Sequence, residues 1–202
     1  MIIKLTQYFR FAGIVCLLFL ADTGIAQMLS GVALVNALQG GGYVIVMRHA
    51  SSPRQAPDAE TTNPDNVNRE RQLDETGRRD AIGFGDSLRR LRIPIAEVES
   101  SPTYRTLETA RLAGFSEVEV HNELGSQGMQ SSGEVNATWL RERVANAPLQ
   151  GNLLLVTHEP NITGAFPDLN SSPEEGEALV FDPNTSQTTP VARIRINEWS
   201  DL

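Results

Sequence analysis

The segment Tyr43-Val44-Ile45-Val46-Met47-Arg48-His49-Ala50 ends a run of apolar, strand-forming residues on an Arg-His pair. Open α/β sheets collect their chemistry at the carboxyl ends of strands, so this pair is the first candidate for reactive groups. Two later segments repeat the arrangement. Ser101-Pro102-Thr103-Tyr104-Arg105 follows the run from Ile95, and Leu153-Leu154-Leu155-Val156-Thr157-His158 ends a second apolar run on a histidine. Neutral imidazole is a competent covalent nucleophile, and the guanidinium fork fits the oxygens of a tetrahedral anion. Two histidines and two arginines at one sheet edge therefore predict a phosphate site with a nucleophile inside it. Arg105 would sit in the first turn of a helix, where free N–H groups add to the attraction for anions. Each residue also has an ordinary role open to it: hydrogen-bonded strand ends for His49 and His158, a solvated ion pair with Glu108 for Arg105. The remaining histidine, His121, lies beyond a short strand and is expected to be exposed.

These residues need a scaffold, and the chain supplies alternating elements. Met28 to Gln39 has helical apolar spacing and stops at Gly40-Gly41-Gly42. A strand at Tyr43–Met47 follows, then a polar, Pro-containing loop from Ser51 to Arg71 of the length that usually carries function. Asp74-Glu75-Thr76-Gly77 opens a helix to about Arg92, with Ala81, Phe84, Leu88 and Leu91 on one face. Further strands are expected at Ile95–Ser101, Glu117–Val120, Asn152–Thr157, Ala178–Phe181 and Val191–Ile196. Helices are expected at Thr103–Ala113, Glu134–Ala147 and Pro160–Phe166. Such alternation predicts a single three-layer α/β/α domain with a mostly parallel central sheet.

The first 26 residues read differently. Lys4 and Arg10 precede an apolar run of 11 residues, Phe11 to Ala21, and Gly24-Ile25-Ala26 offers small residues before a cleavage point. Eleven residues are too few to span a bilayer, which takes about 20. The expectation is a signal peptide over residues 1–26, a domain over 27–202, and a periplasmic or secreted location, with no stable membrane insertion after cleavage. Loss of Lys4, Arg10 and Asp22 would move the formal charge from −8 to −9. So acidic a chain has no electrostatic case for nucleic acid. Cys16, the only cysteine, leaves with the leader, which excludes disulfides and thiolate chemistry from the remainder. No cofactor is expected and no metal, since three scattered histidines without His-Glu-x-x-His form no zinc pattern.

Taken together, Val46-Met47-Arg48-His49-Ala50, Ser101-Pro102-x-x-Arg105-x-x-Glu108-Thr109-Ala110 and Val156-Thr157-His158 resemble the three blocks of the histidine phosphatase, or phosphoglycerate mutase-like, superfamily. Leu73-Asp74-x-x-Gly77-Arg78 is similar to the helix start that follows that family's variable loop. The resemblance implies that His49 attacks phosphorus and becomes transiently phosphorylated. It implies that Arg48, Arg105 and His158 hold the phosphoryl oxygens. It also implies a proton donor: Asn122-Glu123-Leu124-Gly125 stands where the mutase branch has its Asn-Glu pair, which makes Glu123 the candidate and Asp168 and Glu177 its rivals. Ala50 replaces the usual glycine, and Ser51–Arg71 does not resemble the mutase's substrate-binding stretch, so a phosphatase is expected rather than a mutase. Arg54, Arg69 and Arg71 in that loop are in a position to reach an acidic substrate. The expected partner is a small phosphorylated substrate, with cell-envelope sugar phosphates among the classes implied. The competing expectation is a protein of this fold that binds phosphate or an anionic sugar without turning it over.

Overall fold

The computed structural model describes residues 28–58, 61, 63–125, 133–185 and 188–202. The expected leader, residues 1–26, and most of the glycine-bearing loop after Gly125 lie outside the described residues. Among the described residues six strands form one sheet: β1 (Val44–Arg48), β2 (Ile95–Ser100), β3 (Glu119–Val120), β4 (Asn152–Thr157), β5 (Ala178–Phe181) and β6 (Ala192–Ile194). Their order is β3-β2-β4-β1-β5-β6. The β3-β2, β2-β4 and β4-β1 pairs are parallel, whereas β5 runs antiparallel to both β1 and β6. Only β5 therefore opposes the common direction, and the expected mostly parallel sheet is what forms.

Among the described residues five helices cover the sheet: α1 (Gly31–Gly40), α2 (Glu75–Arg90), α3 (Tyr104–Leu112), α4 (Gly133–Val144) and α5 (Glu159–Ala165). Strand alternation sorts them into two layers. Ile45 and Met47 face a core with Leu34, Leu38, Ala81, Phe84, Leu88 and Trp199, while Val44 and Val46 face Leu140, Val144, Ile162 and Phe166. Side chains at successive strand positions point to opposite faces, so β1 must be apolar on both. Trp199 comes from a 3-10 helix, Ile196–Asp201, that the sequence pattern does not announce; it stacks edge-on against Phe84 at 5.0 Å.

Where the loop after β1 meets α2, the chain is held tightly. Asp74 caps α2 by accepting from the Gly77 N–H (2.7 Å), and the Ser51 hydroxyl donates to the other Asp74 oxygen (2.7 Å). A methyl group on Gly77 would collide with the Ser51 carbonyl, and one on Gly85 with the Ala113 carbonyl at the end of α3. Glycine at 85 thus sets how closely α2 approaches the helix that carries Arg105. Gly85→Ala is expected to destabilise the fold by about 1–3 kcal/mol, the usual penalty for overpacking, read as a lower midpoint in urea.

Candidate active site

β1 and β4 lie side by side and end together, so Arg48 and His49 come beside Thr157 and His158. The ladder continues one step past the strands: the His49 N–H donates to the Thr157 carbonyl (3.0 Å) and the Ser101 N–H to the Val156 carbonyl (3.1 Å). Three strand ends are thereby locked in register. The Ala50 N–H donates to the Thr109 hydroxyl (3.1 Å), which itself donates to the Arg105 carbonyl (2.8 Å). This explains Thr109 in the second block: it ties the helix bearing Arg105 to the backbone next to His49. Glu108 of the same block is buried away from the cleft and pairs with Arg78 and Arg111.

The result is a cleft of about 460 Å³ lined by Arg48, Arg54, Arg71 and Arg105, by His49 and His158, and by Glu159, Pro160 and Glu175. The two imidazoles stand edge to face with ring centres 5.4 Å apart, and only 3% and 2% of His49 and His158 is exposed. Four arginines against two glutamates leave the lining at a formal +2 with neutral histidines. That is a focused cationic spot on a chain whose formal charge is −8.

Hydrogen bonding sets the protons. His49 Nδ1 lies 2.8 Å from the Ala50 carbonyl, which can only accept, so Nδ1 carries the hydrogen and Nε2 keeps its lone pair. His158 has the opposite tautomer. Arg105 Nη2 donates to its Nδ1 (3.0 Å), and its Nε2–H donates to the Ser101 hydroxyl (2.9 Å). Burial, reinforced by the nearby arginines, pushes the His49 pKa down from 6.5 to about 3 and that of His158 to about 2. Burial and the neighbouring Arg71 also lower Arg105, to about 10. Arg48 Nε and Arg105 Nε are buried and make no hydrogen bond among the described residues. Unsatisfied buried donors are costly, and the two arginines beside the histidines each carry one.

The depressed histidine values carry a stability consequence. Between about pH 6.5 and 3 the unfolded chain binds protons that the folded one refuses, so stability present at neutral pH is lost as the pH falls through that window. His49→Gln should therefore flatten the acid side of the stability curve by about 1.4 kcal/mol per pH unit below about pH 6, measured by denaturant titration.

The structure brings Arg48, His49, Arg105 and His158 together. Glu123 is half-buried on the 3-10 turn Asn122–Leu124, where its carbonyl accepts from Asn161 (3.3 Å); it is not among the residues lining the cleft. Asp168 is exposed, and Glu177 is engaged by Arg193 at 2.8 and 3.0 Å. Neither rival lines the cleft. The carboxylates that do are Glu159 and Glu175. Glu175 accepts from Arg48 Nη2 and the Ser52 N–H (both 3.2 Å) and lies 3.6 Å from Arg71. Glu159 forms no ion pair among the described residues. Of the loop arginines, Arg54 and Arg71 line the cleft and Arg69 does not. One expectation is corrected: His121 is half-buried rather than exposed, because it packs on Trp139 with ring centres 5.0 Å apart.

No family model and no curated protein matches the chain. Among solved structures it is similar to the protein histidine phosphatase SixA complexed with tungstate, at 18% identity and TM-score 0.48, over 75% of this chain and 92% of that one. It is also similar to a candidate phosphohistidine phosphatase, SixA from Agrobacterium tumefaciens, at 18% identity and TM-score 0.49, over 71% and 93% of the two chains. A third is phosphoserine phosphatase from Entamoeba histolytica in complex with 3-phosphoglyceric acid, at 14% identity and TM-score 0.48, over 69% and 89%. All three of these structures carry the name of a phosphatase.

Proposed function

We propose that the protein is an exported, metal-independent phosphomonoesterase acting through a phosphohistidine on His49. The observation that carries this reading is an unprotonated His49 Nε2 in a cleft lined by Arg48, Arg54, Arg71 and Arg105. The lining's formal charge suits a phosphomonoester dianion. Phosphoryl transfer asks mainly for positioning and charge stabilisation, and the cleft's own side chains supply both. In this reading Nε2 attacks phosphorus, the P–N bond forming as the bond to the leaving oxygen breaks. Arg48 and Arg105 hold the equatorial oxygens. His158 orients Arg105 through Nδ1, and touches the phosphoryl group itself only after that guanidinium moves. Water then attacks the phosphohistidine, releasing inorganic phosphate and restoring His49.

The leaving alkoxide needs a proton. Glu159 suits this best, being on the cleft and outside the ion pairs that hold Glu175; Glu123 keeps the alternative drawn from the sequence. Glu159→Gln is expected to slow poor leaving groups by about 10²–10⁴ while sparing p-nitrophenyl phosphate. The same selective loss in Glu123→Gln instead would move the role to Glu123. Export rests on the composition of residues 4–26; no described helix is long and apolar enough to cross a membrane. The substrate class is a small phosphomonoester, with cell-envelope sugar phosphates as one member. A screen across phosphomonoesters should release phosphate at rates unaffected by EDTA. Phosphate binding without hydrolysis of any member would favour the non-catalytic protein.

A further inference from the structure

Beside the outer strand β3, Glu99 is 4% exposed and uses only half of its carboxylate. Arg143 Nε donates to Oε1 at 2.8 Å, with Nη2 also close, whereas Oε2 is buried and accepts nothing among the described residues. Facing it is His121 Nε2, also buried and without a hydrogen bond among the described residues. This nitrogen stands 3.5 Å from Glu99 Oε2 and 3.3 Å from Glu119 Oε1. Glu99 and Glu119 are brought together because they are directly paired in the β2-β3 ladder. Their oxygens and the imidazole nitrogen all lie within 4.8 Å of one another.

We propose that Glu99, Glu119 and His121 form a binding site for a zinc-type divalent cation. Tetrahedral bonds of about 2.0–2.2 Å to imidazole nitrogen and carboxylate oxygen set donor atoms roughly 3.3–3.6 Å apart, the range that both separations from His121 occupy. The third edge closes through Glu119, whose side chain is 73% exposed and free to turn inward. One nitrogen and two carboxylates favour zinc over calcium or magnesium, which take oxygen donors in larger number. The charge is also suited. Arg143 offsets Glu97 (2.6 Å), and with the imidazole counted as neutral, Glu99 and Glu119 leave −2 for one divalent ion. Supporting contacts hold the donors in place: Arg143 fixes the Glu99 carboxylate, and Trp139 packs on the His121 ring. The ion would close the chain between residues 99 and 119, the stretch that carries Ser101 and Arg105. The proposal does not depend on the phosphatase reading.

The test uses the untagged full chain with Cys16→Ser, because the sole thiolate would compete for zinc. After dialysis against a chelator, titration with Zn²⁺ alone should show one equivalent bound and a raised thermal midpoint. Substituted Co²⁺ should show the intense visible bands of tetrahedral coordination. Glu119→Gln, at an exposed side chain that folding does not need, and His121→Gln should each weaken binding by more than the roughly 10–100-fold cost of losing a supporting partner. No zinc uptake, or uptake unchanged in both variants, overturns the proposal. So does uptake lost only in His49→Ala, which would place the ion on the imidazoles of the cleft.

Discussion

His49→Ala is expected to reduce phosphate release from p-nitrophenyl phosphate by about 10⁴–10⁶, the scale seen when a covalent nucleophile is removed. The reason is local. The only other imidazole in the cleft is His158, and both of its ring nitrogens are taken, one by Arg105 and one by Ser101. No second lone pair stands ready to attack phosphorus. The loss should be the same with and without EDTA, and circular dichroism should show a folded variant. Near-normal turnover in His49→Ala would remove the nucleophile and with it the proposed intermediate.

The next largest effect is expected at Arg105. Arg105→Ala should lower kcat by about 10²–10³, as for other donors aimed at developing charge in a water-poor site. Its guanidinium is desolvated enough to pull its pKa down to about 10, and it is also the donor that fixes His158. Lysine should not restore the loss, because a single ammonium cannot serve His158 and two phosphoryl oxygens in a planar fork. If the contact belongs to the transition state, kcat and kcat/KM fall together; a rise in KM alone would assign Arg105 to ground-state binding.

Much of this was legible in the chain because the signals are local. Apolar runs marked β1, β4 and β5 within a residue or so, and the Asp74 cap and Gly77 marked the start of α2. β3 was harder: of Glu117–Val120 only Glu119 and Val120 pair, with Glu99 and Ser100 of β2. Three blocks brought out Arg48, His49, Arg105 and His158 because each ends or follows a strand. Glu175 left no such mark. It reaches the cleft because β5 lies antiparallel against β1, with the Gly176 N–H donating to the His49 carbonyl (2.9 Å) and the Arg48 N–H to the Glu177 carbonyl (3.1 Å). That pairing is long-range and has no periodicity to reveal it. The Glu99, Glu119 and His121 cluster is hidden for a similar reason: Glu99 is on β2, Glu119 on β3 and His121 just past it, and spacing within one segment does not show a cross-strand pair.

The most direct measurement is an alkaline quench during steady turnover, followed by mapping of the phosphoryl group. The account predicts a phosphoryl group, stable to base and labile to acid, on the imidazole of His49 in the wild-type chain and absent from His49→Ala. Sustained hydrolysis with His49 unmodified, or with the phosphoryl group on another side chain, would contradict it.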